Sequence, residues 1–272
     1  MNNSYRKIFV LLSALLIIAC ASVSVFGQNN FDNTENKTAK AESVINEAVK
    51  KLGGDRYLKV RTSIGEGRFS LLKDGHIVSF SSFIDVIVAP DKERTDFTEK
   101  GSKTVQVNAG GKGWMYQEHL EKMSDQGEVQ IENFKRSLRS HYDYLLRGKW
   151  KGKAKLSYDG RRPASLGKRN DVLKLTFEDG FTVEYEFSDE GLPMKTKYER
   201  KNSDDKIITE ENRYAQFLDE QGVLTPFVVD HFTNDKHSFR ANYRSMTYNK
   251  KIPDKIFVKP GNTKKLRKKL KL

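Results

Sequence analysis

The sequence predicts an α+β fold that is mainly β, a single strongly curved antiparallel sheet wrapped around one or two amphipathic helices. Three observations point there. A clear helical stripe lies near the start, where Ala41, Val44, Ile45, Ala48, Val49 and Leu52 recur at three- and four-residue spacing and Glu42, Glu47, Lys50 and Lys51 face the other way. From Thr62 onward the apolar residues follow period two. Asp74-Gly75, Asp159-Gly160 and Asp179-Gly180 are hairpin signals with short connections, which favour a meander.

The chain opens with Arg6 and Lys7 followed by an uncharged, apolar run over residues 8–19. That run is short for a membrane span of about 20 residues and fits a signal-peptide core of about 7–15. Two cleavage readings compete. Ile17-Ile18-Ala19-Cys20 resembles a bacterial lipobox, with cleavage before an acylated cysteine, while Val25-Phe26-Gly27 suits an ordinary signal peptidase. The leader is then 1–27, or 1–19 if Cys20 is lipidated. Cys20 is the only cysteine, so the body contains no disulfide in either case. Export into a bacterial-type envelope makes nucleic acid an unsuitable partner.

Residues 28–37 are Asn-rich and polar and read as a flexible spacer. Residues 38–263 are short enough for one domain, since chains divide beyond about 250–300 residues. Gly53-Gly54 ends the first helix. Val183, Tyr185 and Phe187 alternate with Thr182, Glu184 and Glu186. Met194, Thr196 and Tyr198 alternate with Lys195, Lys197 and Glu199. Phe239, Ala241 and Tyr243 are followed by a shift to Met246 and Tyr248, which predicts a bulge near Ser245.

Residues 76–88 are different. Their even face (Val78, Phe80, Ile84, Val86, Val88) is apolar, and the odd face also carries Ile77, Phe83 and Ile87. A strand apolar on both faces is covered on both; the helix is available for one cover, and the second has no assigned element. Ile131, Phe134, Leu138, Tyr142 and Leu145 predict a further helix over residues 128–147, which separates strands within 62–117 from strands within 153–258.

The chain has 49 Lys and Arg against 36 Asp and Glu, a net charge of +13, and six of the basic residues fall within 264–272. This terminus reads as a disordered basic tail, either addressing an anionic membrane surface or simply solvated. No catalytic constellation is visible. His76, His119, His141, His231 and His237 lack metal-ligand spacing, and there is no Gly-x-Ser-x-Gly elbow. Gly110-Gly111-Lys112-Gly113 lacks phosphate-loop spacing and reads as a tight turn. A non-enzyme without metal or cofactor is expected.

Pro90-Asp91-Lys92-Glu93-Arg94 follows the doubly apolar strand. Then come a strand with Phe97, a strand Val105-Gln106-Val107-Asn108, the glycine turn and Trp114-Met115-Tyr116. Here the chain resembles the LolA/LolB-like superfamily of periplasmic lipoprotein carriers, including its outer membrane lipoprotein-sorting branch. Pro90, Arg94, Trp114 and Tyr116 match its pattern, while Asn108-Ala109-Gly110 replaces its usual Asp-Gly. Leu192-Pro193, Gly222-Val223-Leu224-Thr225-Pro226 and Phe257-Val258-Lys259-Pro260 extend the likeness over residues 39–260.

The resemblance implies a half-open β barrel around helices, with an apolar cavity that holds acyl chains of a lipid or lipoprotein. A monomer in the periplasm is expected, anchored at the outer membrane if Cys20 is acylated. Candidate lining residues are Val86, Val88, Phe97, Trp114, Tyr116, Val183, Tyr185 and Phe187; the competing reading of each is ordinary core. Arg94 is either a bridge between cavity-closing loops or a surface arginine. An interaction or sensor module that grips a partner protein, and an unrecognised hydrolase, are the alternatives.

Overall fold

The computed structural model describes residues 25–165, 167–202, 204–270 and 272, with side chains from residue 35 onward. Cys20 and the leader as far as residue 24 lie outside the described residues. The chain divides into two compact units, residues 1–36 and 37–272, and the sheet belongs to the second.

Helix α1 (Val25–Lys51) runs through the polar stretch expected as a flexible spacer. No Gly or Pro interrupts residues 28–51, so the helix propagates from its apolar part toward the N-terminus. Its predicted stripe is the buried one: Ala41, Val44, Ala48 and Leu52 are in the core, with Ile45 and Val49 against it. Gly53 and Gly54 stop the helix at φ +121° and +57°. A Cβ on Gly53 would stand 2.4 Å from the carbonyl oxygen of Gly222, and Leu224 N donates to Leu52 O at 3.0 Å. Helix α2 (Asp55–Leu58) follows.

Thirteen strands form one antiparallel sheet among the described residues. The chain runs outward through β1 (Thr62–Lys73), β2 (His76–Val88), β3 (Lys92–Glu99), β4 (Ser102–Ala109), β5 (Lys112–Gln117) and the edge strand β6 (Lys122–Asp125). Helices α3 (Glu128–Ser140) and α4 (Tyr142–Leu146) carry it to the opposite edge. It returns through β7 (Ala154–Pro163), β8 (Arg169–Phe177), β9 (Thr182–Phe187), β10 (Pro193–Lys201), β11 (Ile207–Glu220), β12 (Val223–Thr233) and β13 (Lys236–Tyr248). The last strand pairs with β1, so the two expected strand groups are halves of one curved, unclosed sheet, a half-open barrel.

Local signals are mostly realised. Ser245 pairs with Glu66 and Tyr243 with Gly67, leaving Arg244 as the extra residue of a bulge where one is predicted. Asp74 and Gly75 both take positive φ in the β1–β2 turn, and Gly110-Gly111 do so between β4 and β5. Two expectations need correction. Asp159-Gly160 is a bulge inside β7, opposite Val172, rather than a hairpin turn. The helix expected over residues 128–147 breaks at His141, whose backbone is extended and whose Nδ1 accepts from Asp143 N, restarting the chain as α4.

Residues paired across an antiparallel sheet point to the same face, so the register defines two faces. The inner face runs from Leu173 and Tyr185 through Tyr214, Val229 and Ala241 to Phe69, then Phe83, Phe97 and Thr104. Helices α1 and α4 pack on its β8–β11 half, with Leu145 and Leu146 in the same core. Across the other half, the outer face presents Val86, Arg94, Val107 and Trp114. This is the second apolar face of β2, and the chain after β13 covers its Ile84–Val88 end; against the expectation of cover on both faces, Val78 and Phe80 near the hairpin stay exposed.

The chain after β13 lies folded against the sheet, and residues 264–272, expected as a disordered basic tail, are anchored there through Leu266. Ile256, Phe257 and Leu266 are buried with Val86, Val105, Val107, Trp114 and Tyr116. Trp114 Nε1 donates to Phe257 O at 2.9 Å and Lys103 Nζ to Lys268 O at 2.5 Å. Arg267 pairs with Glu118 and Glu121. Alternating Leu266 and Leu270 among the cations supplies apolar anchors, which net charge alone conceals. Arg94 is neither of its two expected forms: it is buried, paired through Nε and Nη2 with Asp96, and donates from Nη1 to Ile256 O at 2.9 Å.

Breaking a buried ion pair from one side costs about 3–5 kcal/mol. Arg94→Leu is therefore expected to lower the urea midpoint by that equivalent and to shift Trp114 emission to the red as Phe257 loosens. A change under about 1 kcal/mol, with unaltered emission, would mean that the ion pair does not hold the segment.

Candidate functional site

The inner face is filled over one half and recessed over the other. The floor of the recess comes from β3 and β4, with Glu93, Thr95, Phe97, Gln106 and Asn108; α3 supplies the opposite wall through Gln130, Asn133, Phe134 and Ser137. Its volume is about 380 Å³, within the roughly 300–1,000 Å³ of small-molecule sites. Helix α3 is held across the sheet at both ends. Just before its start, Gln126 N donates to Gly113 O at 2.9 Å and Gln126 Nε2 to Val107 O at 3.2 Å. At its end Tyr185 Oη donates to Arg139 O at 2.9 Å, while the Arg139 guanidinium lies over Phe177 and Phe181.

Phe97 begins an aromatic row along the inner face. It meets Phe69 at 5.4 Å and Phe83 at 6.4 Å between ring centroids. Phe69 then meets Phe239 at 5.0 Å, and Phe83 meets Tyr243 at 5.1 Å. These spacings are those of favourable edge and tilted contacts. Beyond Phe239 stands His231, stacked at 4.5 Å and hydrogen-bonded to Asn212 and Glu210.

Two carboxyls sit beside this row. Burial pushes Asp85 up to about 6, against the pull of the Thr95 hydroxyl, which donates to it at 2.9 Å. Burial, then the charge of Asp85, pushes Glu93 up to about 8. Burial and both carboxylates hold the Tyr243 phenol well above its ordinary range. Asn108 pairs across strands with Glu93, and its buried Oδ1 accepts no hydrogen bond. Among the described residues, no cluster of three His, Cys, Asp or Glu side chains is placed to hold a metal ion. No described helix is long and apolar enough to cross a membrane.

The register separates the residues singled out in the sequence. Val86, Val88, Trp114 and Tyr116 belong to the outer face under the C-terminal segment. Val183, Tyr185 and Phe187 face inward but are packed against α1 and α4. Phe97 alone of the eight lines the recess, so the eight do not surround one cavity. Asp85 and Glu93 were not singled out, although Asp85 between Ile84 and Val86 is a charge inside an apolar strand and carries a visible signal.

No protein-family model matches the chain, and no curated protein matches its sequence. Its fold is shared with solved structures. A DUF1329 family protein from Desulfovibrio piger superposes with a TM-score of 0.56 at 14% identity, covering 80% of this chain and 97% of the other. A LolA superfamily protein from Nitrosomonas europaea gives 0.53 at 15% identity, covering 80% and 97%. An outer membrane lipoprotein-sorting protein domain from Vibrio parahaemolyticus gives 0.53 at 12% identity, covering 84% and 100%. The chain thus has the LolA-like fold that its motif order resembles.

Both carboxyls bind protons more tightly folded than unfolded, so their contribution to stability is fully present below their ordinary range of about 4 and is lost as pH rises toward about 8. Melting temperature is expected to fall from pH 5 to pH 8.5, and Glu93→Gln to flatten that fall. An equally steep fall in the variant would place the titration elsewhere.

Proposed function

We propose that this protein is a non-catalytic cell-envelope protein that binds acyl chains of a lipid or lipoprotein on the inner face of its sheet, in lipoprotein sorting or transport. The observation that supports it is the recess continuing into the Phe97–Phe69–Phe239 row. Each buried CH₂ contributes about 0.8 kcal/mol, so a chain laid along these rings gains affinity without directed chemistry. The fold it shares with a LolA superfamily protein and a lipoprotein-sorting domain is in keeping with this reading. The signal-like start supports export to the periplasm, with an acyl anchor at the outer membrane if Cys20 is lipidated.

An environment-sensitive fluorescent fatty alcohol is expected to bind at micromolar concentration or tighter, about −8 kcal/mol, and Phe97→Ser to weaken it. Organic extracts of natively purified protein should contain lipid. Empty extracts together with no fluorescence change would remove the reading.

For the anchor, labelled palmitate is expected to be incorporated in a bacterial host and to be lost in Cys20→Ser. A mature protein beginning at Gln28 without acyl mass would rule the anchor out.

A second reading, an interaction module, is favoured by the tip of the β1–β2 hairpin. Ile77, Val78 and Phe80 are 62%, 60% and 64% exposed there, more apolar surface in one place than a solvated turn requires.

A further inference from the structure

Three exposed apolar side chains stand together at one end of the sheet, Ile77, Val78 and Phe80 beside the β1–β2 turn. Val78 is the extra residue of a bulge, since Leu72 pairs with Ile77 and Leu71 with Ser79. Ser82, Thr98 and Lys103 form one row of the outer face. Two residues further along β2 carry Phe80 about 7 Å past that row, level with the β3–β4 turn of Lys100 and Gly101. The hairpin therefore projects beyond β3 with its apolar side chains in the open. Leu120, 57% exposed between β5 and β6, lies at the same end of the sheet.

The C-terminal segment brings charge to this end. Lys268 O accepts from Lys103 Nζ, which sets Lys268 over the same row, about 10 Å from β2 across two strand spacings. Lys264, Lys265, Lys268 and Lys269 are exposed, and among the described residues no carboxylate pairs with them. Arg267 beside them is met by Glu118 and Glu121. Arg68, opposite Ser82 in that row, and Lys100 are also exposed without a carboxylate. Against these stand Asp74 in the turn and Glu99, to which the Ser79 hydroxyl donates.

Exposed apolar groups rimmed by charge mark a membrane or protein contact. An acidic protein surface would answer the lysines but set carboxylates against the alkyl tip. An anionic bilayer answers both, with phosphate charge at its surface and hydrocarbon beneath. We propose that this end of the sheet docks on an anionic lipid bilayer, the hairpin tip inserting between headgroups while Lys264, Lys265, Lys268 and Lys269 lie against their phosphates. The recess is no part of this surface, so the inference stands apart from the acyl-chain reading.

The test places an environment-sensitive dye at the tip, on Phe80→Cys in the full chain with Cys20→Ser, which leaves one thiol and no acyl anchor. Vesicles of phosphatidylglycerol and phosphatidylcholine are expected to brighten the dye and shift it to the blue, and vesicles of phosphatidylcholine alone to leave it unchanged. The same dye on Glu190→Cys, in a turn at the opposite end of the sheet, should respond to neither. Replacing the four lysines by Gln should raise the lipid needed for half the response by roughly tenfold or more, and about 0.5 M salt should act in the same direction. An equal response at residues 80 and 190, an equal response to both vesicles, or a response indifferent to lysines and salt would overturn the proposal. A silent dye at residue 80 with both vesicles would overturn it too and leave the tip to a protein partner.

Discussion

The pairing of β1 with β13 is the constraint on which the rest depends. It joins residues about as far apart as the domain allows: Thr62 Oγ1 donates to Lys250 O across 188 positions. Without it there would be two separate meanders, each ending in an open edge. With it, one inner face runs unbroken from the helical core to the recess. The join is made possible by small residues. A Cβ on Gly67 would stand 2.1 Å from Asn242 O, and one on Gly65 would stand 2.5 Å from the Tyr243 ring. Tyr243 can therefore lie over the backbone of β1 and reach Phe83 and the carboxyl pair.

The two halves of the sheet solve the burial problem differently. On the β8–β11 half, α1 and α4 fill the inner face, and aromatic and aliphatic side chains interlock into a core. On the β2–β5 half the bulk of burial is on the outer face, where Ile256, Phe257 and Leu266 cover Val86, Val107 and Trp114. Because the outer face is closed by the chain's own terminus, the inner face of these strands is not needed as a core. It can carry polar and charged groups under a single bridging helix. A site is affordable there because stability is supplied from the other side.

Charge must likewise be read locally. A basic chain would ordinarily be assigned an anionic partner, yet cations of its C-terminal segment are met within the fold, Arg267 by Glu118 and Glu121 and Lys259 by Asp125. No basic residue lines the inner recess. Its one charged lining residue is Glu93, set among the side-chain amides of Gln106, Asn108, Gln130 and Asn133. Net charge describes the surface the solvent meets, and here it misdescribes the site.

What the sequence determined by itself was local: the stripe of α1, its glycine stop, the alternation of β9, β10 and β13, the bulge beside Arg244, and a motif order resembling LolA-like carriers. Each follows from spacing along a few turns or strand steps, where periodicity and turn chemistry act directly. It also showed that β2 is apolar on both sides, and so that a second cover existed. Only the tertiary structure decided what the cover was. Whether Val86 or Phe97 points inward depends on strand register, and register is decided by the β1–β13 join between distant segments. The same join decides that Trp114 and Tyr185, alike in composition and burial, lie on opposite faces. Asp85 and Glu93 become a pair only through the β2–β3 register, and the basic terminus becomes a lid only because Arg94 and Trp114 hold its carbonyls. Such relations come from three-dimensional closure, which short-range pattern does not encode.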